Sequence, residues 1–238
     1  MNRFNKQEDE SQWLPISDLM SVLMMVFIII SVFYMLQVVK DKKRIQEIAI
    51  TYNKLQNNLF KDLNTEFSSD LTNWNAEIDS VNLSVKFIAP NQLKTNTPKI
   101  FFKPGSSKIE LYGKDVLKDF FPRFLKIIYS EKYSNDIEEV RIEGHTSSDW
   151  EESNPNYAYI RNMELSQDRT RNVLKYVLGI TSNDKKRKWL QSNLTSNGLS
   201  SSKIILNLDN SENKNASRRV EFRVKTNAEK SLIKILKD

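Results

Sequence analysis

Leu19 to Val39 is a run of 21 residues without a charged side chain. At about 1.5 Å of rise per residue, a helix of that length reaches roughly 31 Å, enough to cross a bilayer core of about 30 Å. The run is longer than the apolar stretch of a signal peptide, and no small-x-small cleavage site follows it. The pattern therefore predicts an uncleaved transmembrane helix over 13–39 behind a polar tail, 1–12. Trp13 would sit at the interface and Pro15 in the first helical turn. One carboxylate, Asp18, opens the apolar run, with Ser17 beside it and Ser21 one turn on. At the centre of a span a carboxylate costs about 2.5–3.5 kcal/mol on insertion scales. Two readings follow: an interfacial residue near the helix N-terminus, complementing the dipole, or a working intramembrane acid.

Beyond the span, Ile45, Ile48, Tyr52, Leu55 and Leu59 recur at steps of three and four, and Leu63, Phe67 and Leu71 continue at fours. That is one apolar stripe on a helical linker, 40–80, whose first part resembles a short heptad seam. The stripe can pair with a second copy or pack on the chain's own downstream domain. The domain itself is predicted over 81–238. Strands are expected at 83–89, at 99–110 around Pro104-Gly105, at 137–146, at 203–208 and at 218–224. Helices are expected at 113–130, bent or restarted at Pro122, at 161–178 and at 228–237. Val220, Phe222 and Val224 alternate with charges, which predicts one wet sheet face. Helices interleaved with strands indicate an α/β sandwich, so the fold class is α+β: a single transmembrane helix, a linker, then the sandwich.

Composition adds limits. There is no Cys, so neither disulfides nor thiolate metal sites. The net charge of +6 suits anionic surfaces, but no basic block is interleaved with aromatics, which argues against nucleic acid. Five Gly, with no phosphate loop, HExxH or GxSxG, leave nothing that reads as an enzyme or a cofactor site. Lys40, Lys42, Lys43 and Arg44 follow the span, and a count of cations would place that side in the cytoplasm.

Three features carry candidate chemistry. His145, in "GHT", is the only His, with no partner at ligand spacing; such a residue more often caps a strand end by hydrogen bonds than binds metal or catalyses. Arg169, in "LSQDRTRNV", offers a planar fork suited to a carboxylate, or pairs at the surface with Asp168 or Glu164. Arg218 and Arg219 open a strand, and one facing inward would need a carboxylate.

"GHT", then Asn162, Leu165, Ser166 and Arg169 as "NxxLSxxR", then "SRRVEF" at 217–222, resembles the OmpA-like peptidoglycan-binding domain over roughly 85–225. A single span ahead of it, opening "W…SDLMSVLMMVF", is similar to the MotB class of stator subunits. The details are most similar to the Zorya anti-phage branch, with flagellar MotB as the alternative. The resemblance implies an inner-membrane protein with its N-terminus in the cytoplasm and its domain in the periplasm, which overrides the charge count. It implies a homodimer within a pentameric MotA- or ZorA-like partner, bound to peptidoglycan. It implies that Asp18 carries H+ or Na+, with Ser17 and Ser21 as path candidates, and that no other cofactor is needed. It further implies that Thr146, Asn162, Leu165 and Arg169 meet the wall, where the family grips the carboxylate and amine of diaminopimelate. The family's Asp after GHT is Ser147 here, and Asp149 stands two residues later as its substitute. A static tether between wall and membrane is the remaining alternative.

Overall fold

The computed structural model describes residues 5–90, 99–150 and 154–227. Helix α1 runs from Asn5 to Phe67, and the chain divides within it into two compact units, one ending at Thr51 and the other beginning at Tyr52. In the first unit every large apolar side chain from Ile16 to Val39 is exposed. An 18-residue window here has a mean hydropathy of 2.7, so the helix is long and apolar enough to cross a bilayer. Asp18 lies more than three turns beyond the helix start. The dipole acts only within the first turn, so the helix-terminus reading of Asp18 does not hold.

The second unit is built on a five-stranded sheet. Its strands are β1 (Ala76–Asp79), β2 (Ser84–Ile88), β3 (Ile137–His145), β4 (Leu194–Gly198) and β5 (Arg219–Thr226), in the order β1-β2-β5-β3-β4. All neighbours are antiparallel except β3 and β4. Helices α3 (Leu111–Ile128) and α4 (Pro155–Ile180) carry the apolar side. Short helices α2 (Leu71–Trp74) and α6 (Lys214–Ser217) and the ten-residue α5 (Asp184–Asn193) complete the order.

The core is largely aromatic. Phe222 of β5 meets Phe87 of β2 and Phe120, Phe121 and Phe124 of α3, with ring centroids 5.1–6.1 Å apart. The end of α1 belongs to this core. Leu59, Leu63 and Phe67 are fully buried, and the Phe67 ring lies 5.1 Å from Phe120. Arg123 of α3 closes the contact, donating from Nε to Glu66 (2.7 Å) and from Nη1 to Asp70 (2.9 Å) above the Phe67 ring. The downstream part of the apolar stripe therefore packs on its own domain. That domain begins at Tyr52, ahead of the expected boundary at Val81, and β1 also precedes that boundary.

Other expectations shift. Residues 99–110 form a loop around Gly105 (φ 66°) with one isolated bridge, Phe102 to Ile109. Residues 203–208 likewise carry a single bridge, Leu206 to Glu212. Helix α3 continues through Pro122, because the buried phenylalanines on either side hold it against the sheet. Arg219 and Glu221 of β5 are buried, so the expected wet face is dry at that end. Residues 228–237 lie outside the described residues.

Deleting a core side chain in α1 should cost what a core position costs. Leu63→Ala is expected to destabilise the second unit by about 2–5 kcal/mol, whereas exposed Ile50→Ala should not. Urea unfolding of the full chain in detergent, followed by Trp fluorescence, checks the contrast.

Candidate functional site

The site forms where α4 meets the end of β3. A Cβ on Gly144 would stand 2.6 Å from Thr170 Cγ2 and 2.9 Å from the Ser166 carbonyl, and one on Gly198 would stand 2.3 Å from the Gln167 nitrogen. Only glycine lets the helix approach both strands so closely. Helix α4 starts with Pro155 behind an Asn154 cap that accepts from the Asn156 and Tyr157 amides. Asn162 Nδ2 donates to the carbonyls of Ser147 (3.2 Å) and Asp149 (3.1 Å), so α4 holds the turn after "GHT". Ser166 Oγ accepts from the Ser200 amide at 3.1 Å, which fixes the chain after β4.

One turn beyond Ser166 and two beyond Asn162, Arg169 is positioned over the 103–106 loop. Its Nε donates to the Ser106 carbonyl (2.9 Å), its Nη2 donates to the Lys103 carbonyl (3.1 Å), and its guanidinium lies 5.0 Å from the Phe102 ring centre. Both proposed surface partners are taken: Asp168 pairs with Arg171, and Glu164 with Arg161. Burial pushes the Arg169 pKa down to about 10, and the charge of Arg218 pushes the same way. No carboxylate pairs with either arginine among the described residues.

Arg169 and Arg218 line a cavity of about 520 Å3, together with His145, Phe101, Phe102 and Pro104. Its volume falls in the range of small-molecule sites. No Asp or Glu lines it among the described residues. Two guanidinium groups over aromatic walls can hold an organic carboxylate in a bidentate fashion, with the ligand's apolar body on the rings.

Of the expected wall-binding residues, Arg169 lines the cavity. Thr146 and Ser147 are buried behind it, the Thr146 Oγ1 without a hydrogen-bond partner. Asn162 holds the turn, and Leu165 is half-buried on α4. Asp149 pairs with Lys214 at 2.8 Å. In the first unit, Asp18, Ser17 and Ser21 are exposed on α1, and the Ser21 hydroxyl donates to the Ser17 carbonyl (2.9 Å).

The polar face of the sheet carries a second cluster. Glu143 lies opposite Glu221, and His145 opposite Arg219. Arg219 Nε donates to Glu221 Oε1 (2.6 Å) and Ser84 Oγ to Glu221 Oε2 (3.0 Å). The His145 Nε2 atom lies 3.4 Å from Glu221 and 3.8 Å from Glu143, and neither ring nitrogen makes a hydrogen bond. His145 is thus no hydrogen-bonded strand cap, and it does have carboxylates at ligand distance: three ligand atoms lie within 4.8 Å of one another. Period-2 spacing from Glu143 was the missed signal, since i and i+2 share a face. Arg219 and Ser84 already take both Glu221 oxygens, and Arg223 stands 3.9 Å from Glu143. The group reads as an internal charge network.

No family model matches the chain. It is 43% identical over 234 residues to the Zorya protein ZorB of Escherichia coli (strain Crooks), covering 98% of this chain and 95% of that protein. The chain belongs to the ZorB family. Similar solved structures include a MotB-like protein from Desulfovibrio vulgaris, at 20% identity over 76% of this chain and 94% of that one, with a TM-score of 0.48. The cell wall anchor of the Pseudomonas aeruginosa T6SS is 15% identical over 69% and 96%, with a TM-score of 0.44. The periplasmic domain of Helicobacter pylori MotB is 17% identical over 68% and 95%, with a TM-score of 0.40.

The charge network of this ZorB-family chain gives a pH dependence. Burial raises the Glu143 pKa, but the His145 contact and the charge of Arg223 outweigh it, and the net shift is downward from the ordinary 4.5. A depressed carboxylate stabilises the fold above its unfolded pKa and loses that contribution as pH falls through its folded one. Below about pH 4.5 the wild-type melting temperature should therefore fall more steeply than that of Glu143→Gln. Thermal melts of both chains from pH 7 to pH 3 check this.

Proposed function

We propose that this chain is the wall-anchored B subunit of an ion-driven stator that acts in anti-phage defence. The relationship to a Zorya protein over nearly the whole chain carries this reading. The exposed apolar helix fits a single inner-membrane span, with the N-terminus in the cytoplasm and the sheet domain in the periplasm, where peptidoglycan lies. The cavity around Arg169 fits a carboxylate of the wall peptide.

Asp18 is the ion carrier in this reading. A carboxylate in an apolar helix far from its dipole has no local compensation. It is held there by alternation: neutral against lipid or the partner subunit after taking H+ or Na+, and ionised when facing a hydrated path. Ser17 and Ser21 sit within a turn of it and offer oxygens to the same ion. The partner is a MotA- or ZorA-like membrane subunit, a pentamer around a homodimer of this chain. The stripe at Ile45 and Ile48, ahead of Leu55 and the residues packed on the sheet domain, suits pairing of the two copies. The chain acts as a mechanical and ion-conducting subunit, and no chemistry of an enzyme is assigned to it.

Asp18→Asn keeps the size and loses ionisation, so it should leave assembly intact and abolish protection against phage in plating assays. Full protection by that variant would instead identify a static tether. Separately, Arg169→Ala should weaken co-sedimentation of the full chain with isolated sacculi by about tenfold or more, the usual loss for a charge-assisted hydrogen-bond pair.

A further inference from the structure

Among the described residues, the acids beside the cavity are already engaged within the chain. Asp149, the stand-in for the missing Asp after "GHT", pairs with Lys214 at 2.8 Å. Lys214 adjoins the lining: its carbonyl accepts from Arg218 Nε at 2.9 Å, and its neighbour Asn215 lines the cavity. Glu212 is turned to the Ser148 amide and hydroxyl, at 3.0 and 2.5 Å. Glu221, behind His145, is held by Arg219. Ser147, at the position after Thr146, is buried and carries no charge.

We propose that the cavity grips its ligand by carboxylate groups alone and is indifferent to an adjacent amine, because Lys214 supplies Asp149 with the ammonium a ligand would otherwise bring. The inference rests on the wall-binding reading of the same cavity. Arg169 and Arg218 face the ligand without a counter-charge among the described residues, while Arg219 is held by Glu221, so a dianion gains from both. An ammonium entering the same space gains no free acid among the described residues and meets both cations. Lys214 is thus a specificity-determining residue: it sets which acids are accepted while Arg169 sets whether any is held.

Two seven-carbon diacids separate the alternatives. Pimelate and meso-2,6-diaminopimelate share a chain and differ in the two amines. The full chain in detergent is bound to isolated sacculi and released with each acid in turn. Pimelate should release it at the same concentration as the diamino acid or a lower one. Lys214→Met frees Asp149 and should shift the ratio toward the diamino acid by about fivefold, the upper range for an exposed ion pair. Asp149→Asn combined with Lys214→Met should return the ratio to the wild-type value.

A wild-type preference for the diamino acid above about threefold overturns the inference. So does a ratio that Lys214→Met leaves unmoved. The outcomes stay separate from the parent reading: Arg169-dependent sedimentation with a strong amine preference sinks this inference alone. Sedimentation that fails, or that ignores Arg169→Ala, sinks the wall-binding reading and this inference together.

Discussion

The approach of α4 to the sheet at Gly144 and Gly198 is the constraint on which the site depends. A methyl group at either position would overlap atoms of α4, at Thr170 and Ser166 or at Gln167. With both absent, the helix backbone lies almost on the strands. Asn162 then reaches the turn at 147–149, Ser166 meets Ser200, and Arg169 falls above the 103–106 loop. The "GHT" and "NxxLSxxR" motifs are therefore two halves of one joint. Most of their residues hold the joint, and Arg169 uses it.

The polar side of the sheet shows how the chain affords buried charge. Glu221 is flanked by Arg219 and Ser84, and His145 lies between Glu221 and Glu143. Removing one member would leave an unpaired ion in a dry place, which costs more than the pair returns. This network also decides what the cavity presents. Arg219 spends its Nε on Glu221 and its Nη1 on the Lys203 and Ser217 carbonyls. Arg218, one residue earlier and ahead of the strand, reaches carbonyl and amide oxygens only, and keeps its charge for the cavity.

Where one periodicity dominated, the fold was legible. The apolar run, the strand at 137–145, the two long helices and "RRVEF" all carry clear patterns. What was missed carries weak ones. Leu194–Gly198 has one buried apolar residue and owes its place to pairing with β3. Asp184–Asn193 buries only Leu190, so its helical face was too thin to read. Ile204 and Leu206 alternate like strand residues, yet they stand exposed in a loop. That one of Arg218 and Arg219 faces inward and needs an acid was legible, and it is Arg219, on Glu221. The Asp149–Lys214 pair was not, since 64 residues of sequence separate two ordinary surface charges.

Two ionisable groups stand where stability alone would not put them. Asp18 interrupts an apolar helix beyond the reach of its dipole, and no cation among the described residues pairs with it. Arg169 is desolvated beside Arg218, with neutral carbonyls as its hydrogen-bond partners. An uncharged side chain at either place would suit the local surroundings better. Local rules tend to break where function outweighs them. Here they break once in each unit, at opposite charges. On the proposed reading, the acid in the apolar helix answers to an ion, and the unpaired guanidinium in the cavity answers to an anion. A subunit that couples ion flow to a wall, as proposed, would need one of each.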